Sequence, residues 1–311
     1  MNMSKIRTAI KQLRTDRGEF MASIISNFFR WLPDATYLKL LYRFKMRHRL
    51  DLKNPHTFTE KLQWLKLYNR KPEHTTMVDK YAVKEYVTNI IGDEYIIPTL
   101  GVWDKSEDID WDSLPNQFVL KTTHGGGGGG VVICKDKTTF DKASAIAKLK
   151  ESLAFDIYSG LREWPYKDVP KRIIAEKFMA PEKSPDSVLK SSELLDYKFF
   201  CFNGKVKFFK VDFGRFVEHH ANYYSPEGEL LEFGEQGLEP DPNYPIELPD
   251  NLKEMISLAE KLSANEPFLR VDFYNVEGKI YFGELTFYPA SGLGKWTSEE
   301  ADKEIGIFLK L

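Results

Sequence analysis

The sequence predicts an α+β fold: a helical N-terminal region over residues 1–95, then two mixed subdomains over residues 96–180 and 181–311. Three observations carry this. Before residue 95 apolar side chains recur at helical spacing, and beyond it short β-type runs meet at turn signals. A segment rich in Pro, Ser, Lys and Glu, residues 180–192, then breaks the β-rich part as a hinge or a surface loop. A chain of 311 residues, 42% hydrophobic and 29% charged, can bury a sizeable core, so disorder is not the default.

Residues 4–50 read as helices. One apolar stripe runs through Ile24, Ile25, Phe28, Phe29 and Leu32 and stops at Pro33-Asp34. A second, Tyr37, Leu40, Leu41 and Phe44, is flanked by Lys39, Arg43, Lys45, Arg47 and Arg49. Thr57 with Glu60 three residues on has the form of a capping box, opening a helix that buries Phe58, Leu62 and Leu65. Another helix is expected over residues 78–91, with Tyr81, Val83, Val87 and Ile90 inward, Lys80 and Lys84 on one face, and Gly92 ending it.

A strand over residues 118–120 ends at Lys121, glycine occupies Gly125, Gly126, Gly127, Gly128, Gly129 and Gly130, and a second strand resumes over residues 131–133. A helix over residues 140–153 and a strand over residues 172–179 follow. Strands over 196–202 and 206–213 flank Asn203-Gly204, a type I′ hairpin signal. Residues 225–250 read as a long loop. A helix on Leu252, Met255, Ile256, Ala259 and Leu262 leads to strands over 269–274 and 280–287, and Thr297 with Glu300 predicts the cap of a last helix.

Charge narrows the function. A formal net charge of −2 gives no bulk drive towards nucleic acid, so no nucleic-acid partner is expected. It conceals an asymmetry: residues 1–53 hold 12 Lys/Arg against 4 Asp/Glu, a net of +8, which leaves −10 for the remainder. The basic N-terminal helices fit peripheral contact with an anionic membrane and a solvated face equally well. Cys134 and Cys201 have neither metal nor disulfide spacing and read as reduced core residues of a cytoplasmic protein. The apolar patch at residues 21–29 is too short and interrupted for a membrane span and lacks a cleavage site.

A glycine run is costly to order and offers only backbone N–H groups, which approach an anion without obstruction. Taken alone such a run is usually a linker. Between two strands and behind Lys121 it favours a polyphosphate, although neither the P-loop nor the dinucleotide fingerprint is present. His124 at the loop base suits phosphate or a simple turn hydrogen bond. In the last two strands Arg270 and Asp272 share a face, as do Glu284 and Thr286. Paired as a hairpin they gather two carboxylates, a hydroxyl and a guanidinium, a set that fits Mg²⁺ or a plain surface ion pair. His219 and His220, with Arg215, fit an acceptor pocket or the surface.

Together these motifs resemble the ATP-grasp superfamily. Asp79-Lys80 with Lys84 and Pro98 is similar to its first-lysine segment, the Lys121 strand and glycines to its second lysine and phosphate lid, and Arg270-x-Asp272 with Glu284-x-Thr286 to its closing metal motif. From Asn54-Pro55 through residues 58–66 to residues 283–287 the chain resembles the narrower TupA-like family, named for teichuronopeptide biosynthesis and associated with surface polysaccharide. The resemblance implies an ATP-grasp fold clasping ATP, with Lys80 and Lys121 on its phosphates. It also implies an adenine hinge of Glu176, Lys177, Phe178 and Met179, with Glu182 on the ribose. It places Asp272 and Glu284 on Mg²⁺ with Thr286 where asparagine is usual, Arg270 on the transferring phosphoryl, and Lys198 as a phosphate or substrate lysine.

The function so implied is ATP-dependent ligation of a carboxylate, such as a uronic acid, to an amine. Phosphoryl transfer to a sugar hydroxyl and a catalytically silent ATP-binding scaffold are its rivals.

Overall fold

The computed structural model describes residues 17–126, 129–179, 194–214, 218–244 and 246–311. Two antiparallel sheets dominate. The first has the order β1 (Thr99–Trp103), β4 (Ile173–Lys177), β2 (Phe118–Thr122), β3 (Val131–Cys134). The second has the order β7 (His220–Tyr224), β6 (Lys205–Phe213), β5 (Asp196–Phe202), β8 (Phe268–Val276), β9 (Lys279–Thr286).

Alternation of side chains gives the first sheet one apolar and one polar face, and gathers the charged residues of the second on one face beside buried Phe200 and Phe202. In the first, Phe118, Leu120, Ile173 and Ala175 bury with Leu149 beneath helix Lys142–Ala154, which leaves Lys121 and Glu176 on the other side. In the second, Phe199, Cys201, Val271 and Phe273 bury, and Cys201 Sγ donates to the Ala259 carbonyl of helix Leu252–Ser263. Asp196, Lys198, Arg270 and Asp272 therefore share the opposite face. Both hairpin turns of this sheet place their two central residues at positive φ, Asn203 (49°) and Gly204 (75°), then Glu277 (53°) and Gly278 (79°), as the primed turn type requires.

Helices precede the sheets: α1 (Arg17–Phe28), α2 (Asp34–Met46), α3 (Phe58–Tyr68), α4 (Glu73–Val78) and α5 (Ala82–Ile91). The capping box forms, since Glu60 N donates to Thr57 Oγ1 at 3.2 Å and the Glu60 carboxylate accepts from Thr57 N. In α1, Ala22 and Ile25 are buried, whereas Phe28 and Trp31 beyond it are largely exposed. Among the described residues no helix is long and apolar enough to cross a membrane.

Two local expectations change. The helix expected over 78–91 starts only at Ala82, after a separate helix that ends at Val78, because the Asp79 carboxylate accepts from Tyr81 N (2.9 Å) and Ala82 N (3.3 Å) at the break; Tyr81 and Ile90 turn out exposed. The final helix, Glu299–Phe308, is capped by Ser298, whose hydroxyl accepts from Ala301 N, while Thr297 Oγ1 accepts from Gly234 N instead.

Candidate functional site

The break at Asp79 sets Lys80 on a turn between the two sheets. Its backbone N–H donates to Thr123 O (2.9 Å), and its ammonium donates to Gly125 O (2.6 Å) while lying 3.5 Å from Glu284 Oε2. One lysine thus touches both the glycine loop and the β9 carboxylate. Asp79 is itself fixed by Arg172 at 2.7 Å.

On the polar face of the first sheet, Lys121 Nζ lies 2.6 Å from Glu176 Oε2 and Lys84 Nζ lies 2.7 Å from Glu176 Oε1. Burial pushes the Glu176 carboxyl up, but Lys121 and Lys84 outweigh it and hold the group down at about 2. Burial pushes the Lys84 ammonium down, against the pull of Glu176. These three side chains and Lys80 line a small cleft whose apolar wall is Ile96, Ile97 and Phe282. The strand carrying Glu176 ends at Lys177, whose N–H donates to Pro98 O (3.0 Å); Phe178 and Met179 follow, half-buried.

At the loop base, His124 is buried and its Nε2 is 3.2 Å from Phe155 O, a long-range contact to the end of helix Lys142–Ala154 instead of a bond within the turn. Burial, ahead of Lys171, holds its pKa below the ordinary value. The expected contributions of Gly127, Gly128, Glu182 and Arg215 lie outside the described residues. The glycines that are described differ from one another. A Cβ on Gly130 would sit 2.2 Å from Ser152 Oγ and 2.5 Å from Thr122 Oγ1, and one on Gly125 would sit 2.4 Å from Thr122 Oγ1. A Cβ on Gly129 meets nothing within 4 Å. Gly130→Ala is therefore expected to lower the urea midpoint through overpacking of about 1–3 kcal/mol, and Gly129→Ala to leave it unchanged; equal midpoints for the two variants would contradict this.

On the second sheet the register places Asp272 opposite Glu284 and Arg270 opposite Thr286. It does so through a bulge at Gly283, where a Cβ would stand 3.0 Å from Asp272 O. Arg270 forks onto Asp272 with two bonds of 2.7 Å and reaches Glu284 Oε1 (2.9 Å) and Thr286 Oγ1 (3.0 Å). Lys198 Nζ donates to Asp272 Oδ2 at 2.8 Å and pairs closely with Asp196. The four residues expected from the hairpin do converge, joined as an ion-pair cluster.

That cluster also fits Mg²⁺. Among the described residues no three His, Cys, Asp or Glu are grouped as a metal cage, and Mg²⁺ needs only one or two carboxylates when substrate phosphates complete its shell. The Glu284 carboxylate, 38% exposed, keeps Oε2 on the cleft side, with Lys80 at 3.5 Å.

The family model for TupA-like ATP-grasp proteins matches residues 60–310. The chain belongs to the TupA-like ATP-grasp family. Its two antiparallel sheets with a preceding helical region are the α+β ATP-grasp fold expected from the sequence. Solved structures of low identity are similar to parts of this chain. D-alanine–D-alanine ligase from Helicobacter pylori is 14% identical with a TM-score of 0.41, over 75% of this chain and 63% of that one. The same ligase from Bacillus anthracis, complexed with ATP, is 17% identical with a TM-score of 0.38, over 68% and 54%. Phosphoribosylamine–glycine ligase from Thermotoga maritima is 15% identical with a TM-score of 0.39, over 69% and 48%. This TupA-like chain thus matches less than two thirds of the length of each. No curated protein matches it.

Proposed function

We propose that this TupA-like chain is an ATP-dependent carboxylate–amine ligase of cell-surface polysaccharide assembly, joining an amino acid or amine to a uronic acid. The observation that carries the reading is Lys80, which bridges the glycine loop and Glu284, so that a triphosphate lying along it meets cations on one side and the carboxylates of β8 and β9 on the other.

Lys80, Lys121 and the loop N–H groups hold the phosphates; Glu176, Lys177, Phe178 and Met179, where β4 ends, and the Ile96, Ile97 and Phe282 wall hold the base. Asp272, Glu284 and Thr286 would hold Mg²⁺, which supplies charge neutralisation when bound. Arg270 faces the transferring phosphoryl group and balances its negative charge. A substrate carboxylate oxygen bonds to the γ-phosphorus as the bond to the β-phosphate oxygen breaks, releasing ADP. The amine nitrogen then bonds to the acyl carbon, the carbon–oxygen bond to phosphate breaks, and the amine loses a proton. Positioning and charge placement are the protein's share of the work.

The test is ADP and phosphate release from ATP across a panel of uronic acids and amines, with product masses. Release that needs both partners, with a product lighter by one water than their sum, is expected. No release from any pair, or phosphate gained by a sugar without an amine, overturns the ligase reading, the second outcome in favour of a kinase.

A further inference from the structure

We propose that Lys210, on the sheet face that carries Asp272 and Glu284, anchors the carboxylate of an amino-acid substrate, and that Glu235 occupies this anchor point until the amino acid arrives. The inference rests on the ligase reading above and names its amine.

Tyr223, Lys210, Lys198, Asp272 and Glu284 are direct cross-strand neighbours in one row over β7, β6, β5, β8 and β9. With strands about 4.8 Å apart, the Lys210 backbone is about 10 Å from that of Asp272. In this row Lys198 faces Lys210, and in the next Asp196 faces Asp212. Like charges directly opposite one another destabilise a sheet; here Lys198 and Lys210 each also stand 3.6 Å from Asp212.

The two lysines are not equivalent. Lys198 is held closely by Asp196 and at 2.8 Å by Asp272. Lys210 is only 4% exposed, and among the described residues its nearest anions are Glu235 at 3.2 Å and Asp212 at 3.6 Å, with the Tyr223 ring 5.8 Å away. Charge-assisted bonds of this kind usually measure about 2.7–2.9 Å. An ammonium has three donors, and among the described residues that of Lys210 makes one hydrogen bond, to Glu235.

Glu235 does not belong to the sheet. It sits in the connection after β7, tied down by Thr297 N to Gly234 O (2.8 Å) and Gln236 N to Lys295 O (2.8 Å). A buried lysine that, among the described residues, makes one hydrogen bond, to a carboxylate on a loop, has the chemistry of a carboxylate site with an internal occupant.

The reacting carboxylate has to lie beside Arg270, where phosphoryl transfer takes place. Lys210, two strands away, serves the other reactant. An amine attacking the acyl carbon near Lys198 would carry its own carboxylate onward to Lys210. In the step itself the nitrogen–acyl bond forms, phosphate leaves with the carbon–oxygen electron pair, and the nitrogen gives up a proton.

The experiment compares glycine, L-alanine and L-glutamate with methylamine, ethylamine and hydroxylamine as acceptors for D-glucuronate activated by ATP, in the full-length protein and in the variants Lys210→Met and Glu235→Ala. The parent should favour amino acids over the carboxylate-free amines. Lys210→Met should raise KM for the amino acids roughly 30-fold or more and act far less on hydroxylamine. Glu235→Ala should lower the same KM several-fold, a sign that a merely structural ion pair would not give. The inference falls if the parent shows no preference, if Lys210→Met acts equally on all acceptors, or if Glu235→Ala raises KM. In those cases hydroxamate formation by the parent still upholds the ligase reading; its absence removes both.

Discussion

Glu284→Gln will slow ADP release roughly 100- to 1000-fold with a smaller loss of stability than Asp272→Asn, which will lose activity and also about 3–5 kcal/mol of stability. The two carboxylates face each other across β8 and β9, yet they stand in different surroundings. Glu284 is 38% exposed on the outer strand and accepts single bonds from Arg270 and Thr286. Removing its charge leaves Arg270 still forked onto Asp272, so the folded state keeps its principal ion pair. Asp272 is 2% exposed and takes two bonds from Arg270 and one from Lys198. Neutralising it leaves two buried cations short of an anion. Burial pushes the Glu284 carboxyl up, but Lys80, then Arg270 and Lys198, hold it well below the ordinary range. It is therefore ionised at any practical assay pH, and Gln removes a charge present throughout. Steady-state ADP release and urea unfolding of both variants decide the matter. Activity of Glu284→Gln within tenfold of the parent, or equal stability losses in the two, would refute this division.

What could be read in the sequence follows the range of each interaction. The Thr57–Glu60 capping box, the Asn203-Gly204 turn and the alternation in β8 and β9 are local, and each forms as the residues imply. Lys121 and Glu284 were visible as site candidates because a strand or a turn beside them fixes their direction. The Lys84–Glu176 and Lys121–Glu176 pairs join residues far apart in the chain, so the expectation of Glu176 as a hinge residue carried no hint of two lysines on its carboxylate. Asp79 looked like part of a helix because periodicity does not register a side chain that caps the next one. The clearest neglected signal was Gly283, since a lone glycine inside a strand marks a bulge, and this bulge aligns Glu284 with Asp272. Lys210 and Glu235 left no local trace, because their pairing depends on how a long connection returns across the sheet.

Lys66→Met will cost about 3–5 kcal/mol although Lys66 lies outside the cleft of Lys80, Lys84, Lys121 and Glu176, the price of removing one partner from a buried charged cluster. In sequence Lys66 belongs to an ordinary amphipathic helix. In the fold it is fully buried, and its ammonium donates to Leu161 O (2.9 Å), Ser291 O (2.8 Å) and Ser291 Oγ (2.8 Å). Gln63, one turn earlier, adds bonds to Ser291 O and Gly292 O. These contacts hold a turn in which Ala290 (φ 46°) and Ser291 (φ 57°) are both left-handed, a strain of about 1–3 kcal/mol per residue that persists only where the surroundings enforce it. The turn begins three residues after Thr286, so α3 fixes the path by which β9 leaves the cluster of Arg270, Asp272 and Glu284. Burial depresses the Lys66 ammonium to about 8, against the pull of buried Glu163, whose own carboxyl burial pushes up. The sign follows. Between about pH 8 and pH 10.5 the unfolded chain binds more protons at this site than the folded one, so its contribution to stability rises with pH in that window and is least favourable below it. Urea unfolding of Lys66→Met, Glu163→Gln and the double variant at pH 7 and pH 9.5 tests both points. The double variant should recover part of the loss, and the deficit of Lys66→Met should widen at the higher pH. Additive losses with no pH dependence would reduce Lys66 to three independent hydrogen bonds.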